Sequence, residues 1–287
     1  MQGFGWQITA LMDGSFGLDG GGMFGIVPRS LWGRSHEPDE ANRITMALRC
    51  LLISDGERHI LVDAGIGPRL TPKQQSIYRY VEAEGGGLTG ALASAGLSPD
   101  AITDVVATHL HFDHVSGLLL QEGEDLVPRF PNATVHLQED AWAWVAGPSD
   151  WDRASFFHRD FAVWEEKMRL HLLQGDQEIA PGLRVQVTHG HTPGHQIVLV
   201  GEGEGCLVFC ADLIPTATHV RLPYIMAYDH RPLLTLEEKE VLLAQALEEN
   251  WILVFEHDPL VEACRLVEQG DRVLPGPAFL LAEQAVT

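Results

Sequence analysis

Apolar residues arrive along this chain in short runs broken by turn residues, and the runs alternate between strand-like and helix-like spacing. Ile44–Ile53 and His59–Val62 read as two buried strands joined by the turn Ser54-Asp55-Gly56-Glu57. The second strand runs out into Asp63-Ala64-Gly65. Leu88–Ala95 reads as a short helix stopped by Gly96. After Ser98-Pro99-Asp100 the chain restarts, and Asp104–Ala107 forms a third apolar strand leading directly into Thr108-His109-Leu110-His111. Helical spacing covers Glu139–Val145 and Phe156–Leu172. Leu183–Val187 is a further strand, and Gln196–Val200 with Cys206–Cys210 reads as a hairpin around Gly201-Glu202-Gly203-Glu204-Gly205. Leu236–Leu247 is an amphipathic helix, with Leu236, Val241, Leu242 and Leu247 apolar among glutamates. Trp251–Phe255 is a last buried strand. Neither a linker nor a repeat of fixed period divides the pattern, which predicts one domain over residues 1–287.

This order places polar clusters immediately after apolar strands, where a rigid scaffold presents reactive groups. Composition narrows the partners. Hydrophobic residues make up 45% and charged residues 21%, ordinary for a globular chain. No apolar run approaches the length needed to span a bilayer, and the start of the chain has no basic-then-apolar leader, so no membrane association is expected. The four cysteines include no Cys-x-x-Cys pair and read as buried small side chains in a cytoplasmic protein. A net charge of −21 disfavours nucleic acid as a partner.

The fourteen histidines carry the chemistry. His109-Leu110-His111-Phe112-Asp113-His114 packs imidazoles and a carboxylate, the ligands that suit zinc and similar divalent ions, into one loop. Residues two apart in an extended loop point the same way, so His109 and His111 can converge on one ion while Asp113 and His114, beyond a bend, address another. A second loop, Thr188-His189-Gly190-His191-Thr192-Pro193-Gly194-His195, turns tightly at Pro193-Gly194, which aims His195 inward; His189 and His191 are expected to bond within the loop or to support a ligand from behind rather than to bind a metal. Asp212 and His257 each follow a strand. There is no Gly-x-Ser-x-Gly elbow for a serine nucleophile.

His-x-His-x-Asp-His, a Thr-Pro-Gly-His loop, a strand-end Asp and a strand-end His together resemble the metallo-β-lactamase superfamily. The resemblance implies a four-layer αββα sandwich of two mixed sheets, spanning roughly residues 44–258. It implies His109, His111 and His195 on a first metal, Asp113, His114 and His257 on a second, and Asp212 bridging them, with Asp63 as a supporting carboxylate. Two divalent ions are implied, zinc foremost, with manganese, iron or cobalt as alternatives. Ions roughly 3.5–4 Å apart can share a water and make it a nucleophile near neutral pH. Asp113 is a candidate proton shuttle, and Tyr228, or else Tyr224, a candidate donor to the developing oxyanion.

Gly20-Gly21-Gly22-Met23-Phe24-Gly25-Ile26-Val27-Pro28 with Leu31-Trp32, Ile225-Met226-Ala227-Tyr228-Asp229, and Phe255-Glu256-His257-Asp258 more narrowly resemble quorum-quenching N-acyl-homoserine lactonases. Methyl parathion hydrolases share that layout. The expected substrate is therefore a lactone or ester; phosphotriesters, thioesters and a mono-iron sulfur dioxygenase reaction are the alternatives. The chain departs at Pro215, where better-known lactonases carry a tyrosine, and its tail, Glu262–Thr287, is short and mostly apolar or acidic. The apolar N-terminal segment, Met23, Phe24, Ile26, Leu31 and Trp32, reads either as core and homodimer contact or as the wall of an acyl pocket.

Overall fold

The computed structural model describes residues 1–283. Its central strands are apolar on both faces, and alternation sends successive side chains to opposite sides. In the strand Arg43–Ser54, Leu51 and Ile53 enter one apolar cluster and Cys50 and Leu52 another. Ile60 and Val62 part from Leu61 in the same way, and Val198 and Val200 from Ile197 and Leu199. The shared cluster, with Val106, Phe209 and Val254, is the seam between an 8-stranded and a 7-stranded sheet. On the outer face of the first sheet, the helices Gly87–Ser94, Glu139–Val145 and His158–Lys167 cover Leu52, Leu61 and Val105 through Leu88, Val145 and Trp164. On the outer face of the second, the helix Pro232–Glu248 covers Leu253 and Val208 through Leu242, Leu243 and Ala246. The result is the αββα sandwich.

Both sheets are mixed. His59–Val62, Asp104–Val106 and Thr134–Gln138 run parallel in the first, and Leu207–Phe209 runs parallel to Ile252–Val254 in the second. The parallel strands end on the same side, at Asp63, His109, Asp212 and His257. No helix among the described residues is long and apolar enough to cross a membrane.

Several elements differ from the sequence reading. The helix expected over Phe156–Leu172 stops at Lys167, and Arg169–Leu173 instead pairs in parallel with Thr134–Gln138. Free strand-edge hydrogen-bonding groups on Thr134–Gln138 override the local helical spacing. Trp6–Asp19 is a 14-residue strand whose Asp13-Gly14 interruption masks it in sequence. Asp13 is buried and accepts the backbone N–H groups of Ile66 and Gly67. The tail carries the strands Ala263–Gln269 and Arg272–Phe279, while residues 284–287 lie outside the described residues. Within the helix Pro232–Glu248, Val241 faces solvent. Its inner face is Thr235, Lys239, Leu242 and Ala246, and the Lys239 ammonium donates to the Tyr224 carbonyl at 2.8 Å.

The outer layer should carry stability in its own right. Trp164 is fully buried between helix and sheet, so Trp164→Ala is expected to cost about 3–5 kcal/mol in urea unfolding. Trp164→Phe should cost less, because the indole N–H it removes has no hydrogen-bond partner.

Candidate metal centre

Two of the strand ends that deliver the site are strained. Asp63 and Ala211 adopt positive φ, 55° and 43°, which costs a non-glycine residue free energy unless its surroundings hold it there. Asp63 is held by the Thr108 N–H at 2.8 Å and the Thr108 hydroxyl at 2.6 Å. Its carboxylate thus ties the strand His59–Val62 to the start of the histidine loop. Ala211 turns the chain so that Asp212 points back over the sheet ends.

The imidazoles are oriented from behind. His257 donates Nδ1–H to the Ala47 carbonyl at 2.8 Å, and His191 donates Nδ1–H to Asp229 Oδ1 at 2.8 Å. His114 Nδ1 lies 3.1 Å from both Asp63 Oδ2 and Glu256 Oε2. Each outer contact turns Nε2 inward, the arrangement that carboxylates and carbonyls impose on metal-ligating histidines. The inner nitrogens converge on Asp212. Its Oδ2 is 3.2 Å from His191 Nε2, 3.6 Å from His114 Nε2 and 3.8 Å from His109 Nε2. Its Oδ1 is 3.1 Å from His257 Nε2. Asp113 Oδ2 stands 3.8 Å from His114 Nε2 and 3.7 Å from His257 Nε2. Besides Asp63, His114 and Glu256 behind the cleft, two groups result, each with ligand atoms within 4.8 Å of one another: His109, His111, His191 and Asp212, and Asp113, His114 and His257. Asp212 stands between them.

His195 is absent from this convergence, and His191 takes its place. The expectation placed His195 with His109 and His111 and left His191 out; the structure brings His191 to them instead. His195 opens the strand His195–Val200 directly opposite Thr188, whose hydroxyl meets its Nδ1 at 2.6 Å. Its Nε2 accepts the backbone N–H of Asp212 at 3.2 Å, so both ring nitrogens are engaged. The Pro193-Gly194 turn returns His195 to the sheet instead of releasing it into the cleft. His189 also lies outside, with its Nδ1 accepting the Gly194 N–H. Asp229 and Glu256, which hold ligand-side histidines, were missed because a lone acidic residue in a loop gives no periodic signal.

Electrostatics match the geometry. Burial pushes His109 and His111 well below the usual imidazole range, leaving them neutral. Burial also opposes charge on His191 and His257, but the Asp212 carboxylate outweighs it and holds both at about 9. His109 Nε2 and His111 Nε2 are buried without a hydrogen-bond partner. Buried polar atoms are seldom left so, and divalent cations would satisfy both.

Tyr228 lines the same small cleft as Asp113, His191, Asp212 and His257. Burial pushes its phenol up to about 12, so it stays a proton donor. A Cβ on Gly22 would fall 2.4 Å from its hydroxyl, which explains a glycine there. Tyr224 instead packs edge-on against Phe24 and lines a separate cavity with Arg221. At Pro215, only the backbone carbonyl reaches the site, accepting the His257 N–H. Met226 belongs both to the cleft and to an adjoining cavity of about 1110 Å³ walled by Ile26, Trp144, Trp151, Leu222 and Leu233. The N-terminal segment divides accordingly: Met23, Phe24 and Trp32 are core, while Ile26 is exposed on the cavity wall.

The sequence profile of the metallo-beta-lactamase superfamily matches residues 49–257. The N-acyl homoserine lactonase of Bacillus cereus is 25% identical over 249 residues, 82% of this chain and 88% of that protein. Among solved structures, a probable metal-dependent hydrolase from Staphylococcus aureus is 28% identical, with a TM-score of 0.84 over 98% of this chain and 100% of the other. A dizinc quorum-quenching lactonase in complex with the product N-hexanoyl-L-homoserine shares the fold at 18% identity, with a TM-score of 0.76 over 96% and 95% of the two chains. With its strand ends, its buried histidine and aspartate cluster and this match across most of its length, the chain belongs to the metallo-beta-lactamase superfamily and is a metal-dependent hydrolase.

Proposed function

We propose that this protein opens the ring of N-acyl homoserine lactones at a dinuclear centre. His109, His111 and His191 would hold one ion, Asp113, His114 and His257 the other, with Asp212 shared. The observation that carries the substrate reading is Met226, which joins the cleft to the large apolar cavity. A lactone ring placed at the cleft would lead its acyl chain past Met226 towards Trp144, Trp151 and Leu233. The similarity to a lactonase over most of the chain supports the same reading. The four cysteines, all buried and free, agree with residence in a reducing cytoplasm.

When bound, such ions supply Lewis-acid polarisation of a carbonyl and make hydroxide available near neutral pH. The protein's own groups do the rest. Tyr228, protonated at working pH, donates its hydroxyl hydrogen to the oxygen that gains charge as the ring carbon becomes tetrahedral. Asp113 takes the proton given up as water adds to the ring carbon and returns it to the ring oxygen as that C–O bond breaks. Asp229 keeps His191 from rotating, and the apolar wall excludes water from the chain.

The exchange of His195 for His191 is directly testable. His191→Ala and Asp212→Ala should each lose metal in elemental analysis of the purified protein and lose nearly all activity. His195→Ala should keep more metal than either. Equal metal loss in His191→Ala and His195→Ala would overturn the exchange.

Metal uptake should also release protons. With His191 and His257 held at about 9, both are largely charged at pH 7 in the metal-free protein. A metal must displace those protons, so affinity should rise from pH 7 to pH 9 and fall below pH 7. Calorimetry in buffers of different ionisation enthalpy should show proton release at pH 7 that shrinks towards pH 9.

Acyl length should tune turnover. A buried methylene contributes about 0.8 kcal/mol, so kcat/KM should rise several-fold from short to medium acyl chains. Proton release during ring opening by the zinc- or manganese-loaded protein gives the readout. Activity confined to a thioester or phosphotriester would move the substrate and leave the metal site standing.

A further inference from the structure

Away from the cleft, Arg169–Leu173 ends the path of the first sheet and lies parallel to Thr134–Gln138, with His171 directly opposite His136. The two Nδ1 atoms face each other at 3.0 Å. On its far side, His136 Nε2 meets Asp104 Oδ1 at 2.7 Å. Asp104 opens the next strand inward, Asp104–Val106. Val135 and Leu137 point into the outer apolar layer, so His136 takes the opposite face, the one that looks towards the second sheet. His136 is buried there, while His171 remains exposed to solvent. None of these residues belongs to the convergent groups of the cleft.

The hydrogen bonding fixes what this pair offers. A carboxylate can only accept, so His136 gives it Nε2–H, and neutral His136 keeps its lone pair on Nδ1, aimed at His171. An imidazole whose outer N–H is held by a carboxylate has the orientation and added basicity typical of a metal ligand. Two nitrogens bound tetrahedrally to zinc at about 2.0–2.1 Å stand about 3.3 Å apart, only slightly more than the separation here. The strand ladder already holds both backbones, so little ordering remains to oppose binding. Exposure on the His171 side admits water to the remaining positions. Paired imidazoles select zinc, nickel or copper over the hard cations calcium and magnesium.

We propose that His136 and His171 form a second metal site, separate from the hydrolytic cleft, that takes a borderline divalent ion such as zinc, with Asp104 orienting His136. The ion would tie the strand Arg169–Leu173 to its neighbour. The test uses the full chain with its cleft saturated with zinc and excess metal removed, then titrated with zinc in a calorimeter and followed in parallel by thermal unfolding. One further ion per chain is expected, with a Tm that climbs as free zinc rises. His171→Asn, which keeps an exposed polar side chain, should weaken that uptake at least tenfold and abolish the climb in Tm, while cleft metal and hydrolase activity are retained. Asp104→Asn should weaken it about 10–100-fold. Superimposable titrations of the parent and His171→Asn, or no further uptake up to millimolar zinc, would overturn the site; undiminished uptake by Asp104→Asn would remove Asp104 from it.

Discussion

The Asp212 carboxylate is buried within 3.8 Å of nitrogens from His109, His114, His191 and His257. A carboxylate taken out of water is costly unless it is paired. Imidazoles crowded together oppose one another's protonation. Each therefore needs the other, and the two signs balance only while all of them are held in place. The cluster joins side chains from both sheets, so the sandwich cannot slide or splay without exposing unpaired charge. Packing along the seam supplies the bulk of the cohesion, and the cluster fixes the register in which the seam closes.

The holding is done largely by groups that never face the cleft. Asp63, itself in a strained backbone conformation, clamps Thr108 and stands behind His114. Ala47 lends its carbonyl to His257, and Thr188 anchors His195, whose other nitrogen supports the Asp212 backbone. His195 thus meets the cluster through the main chain of Asp212. Strain at Asp63 and Ala211 is repaid by these contacts, a pattern expected where geometry matters more than local comfort.

Most of the fold was legible because strands buried on both faces leave continuous apolar runs, as in Ile44–Ile53, His59–Val62 and Trp251–Phe255. Trp6–Asp19 escaped because Asp13 and Gly14 interrupt its run, and their reason for being there, the N–H groups of Ile66 and Gly67, lies in a distant segment. Arg169–Leu173 escaped because its partner strand, not its own spacing, decides its conformation. In the site, the histidine and aspartate loops stood out through density of ligand types. That His191 and not His195 joins the convergent group follows from Thr188 sitting opposite His195 in the ladder, a fact of pairing that spacing within one loop does not contain.

Asp229 reaches two places at once: one carboxylate oxygen holds His191, the other accepts the Met226 N–H. The loop that walls the apolar cavity is also hitched to the histidine loop by His230 N–H to the His191 carbonyl and Arg231 N–H to the Gly190 carbonyl. The shape of the cavity and the orientation of His191 are consequently not independent in this molecule. Backbone changes in residues 226–231 that reshape the cavity are transmitted to His191, whereas Trp151 and Leu233, exposed on the cavity wall, can change without disturbing the histidine loop.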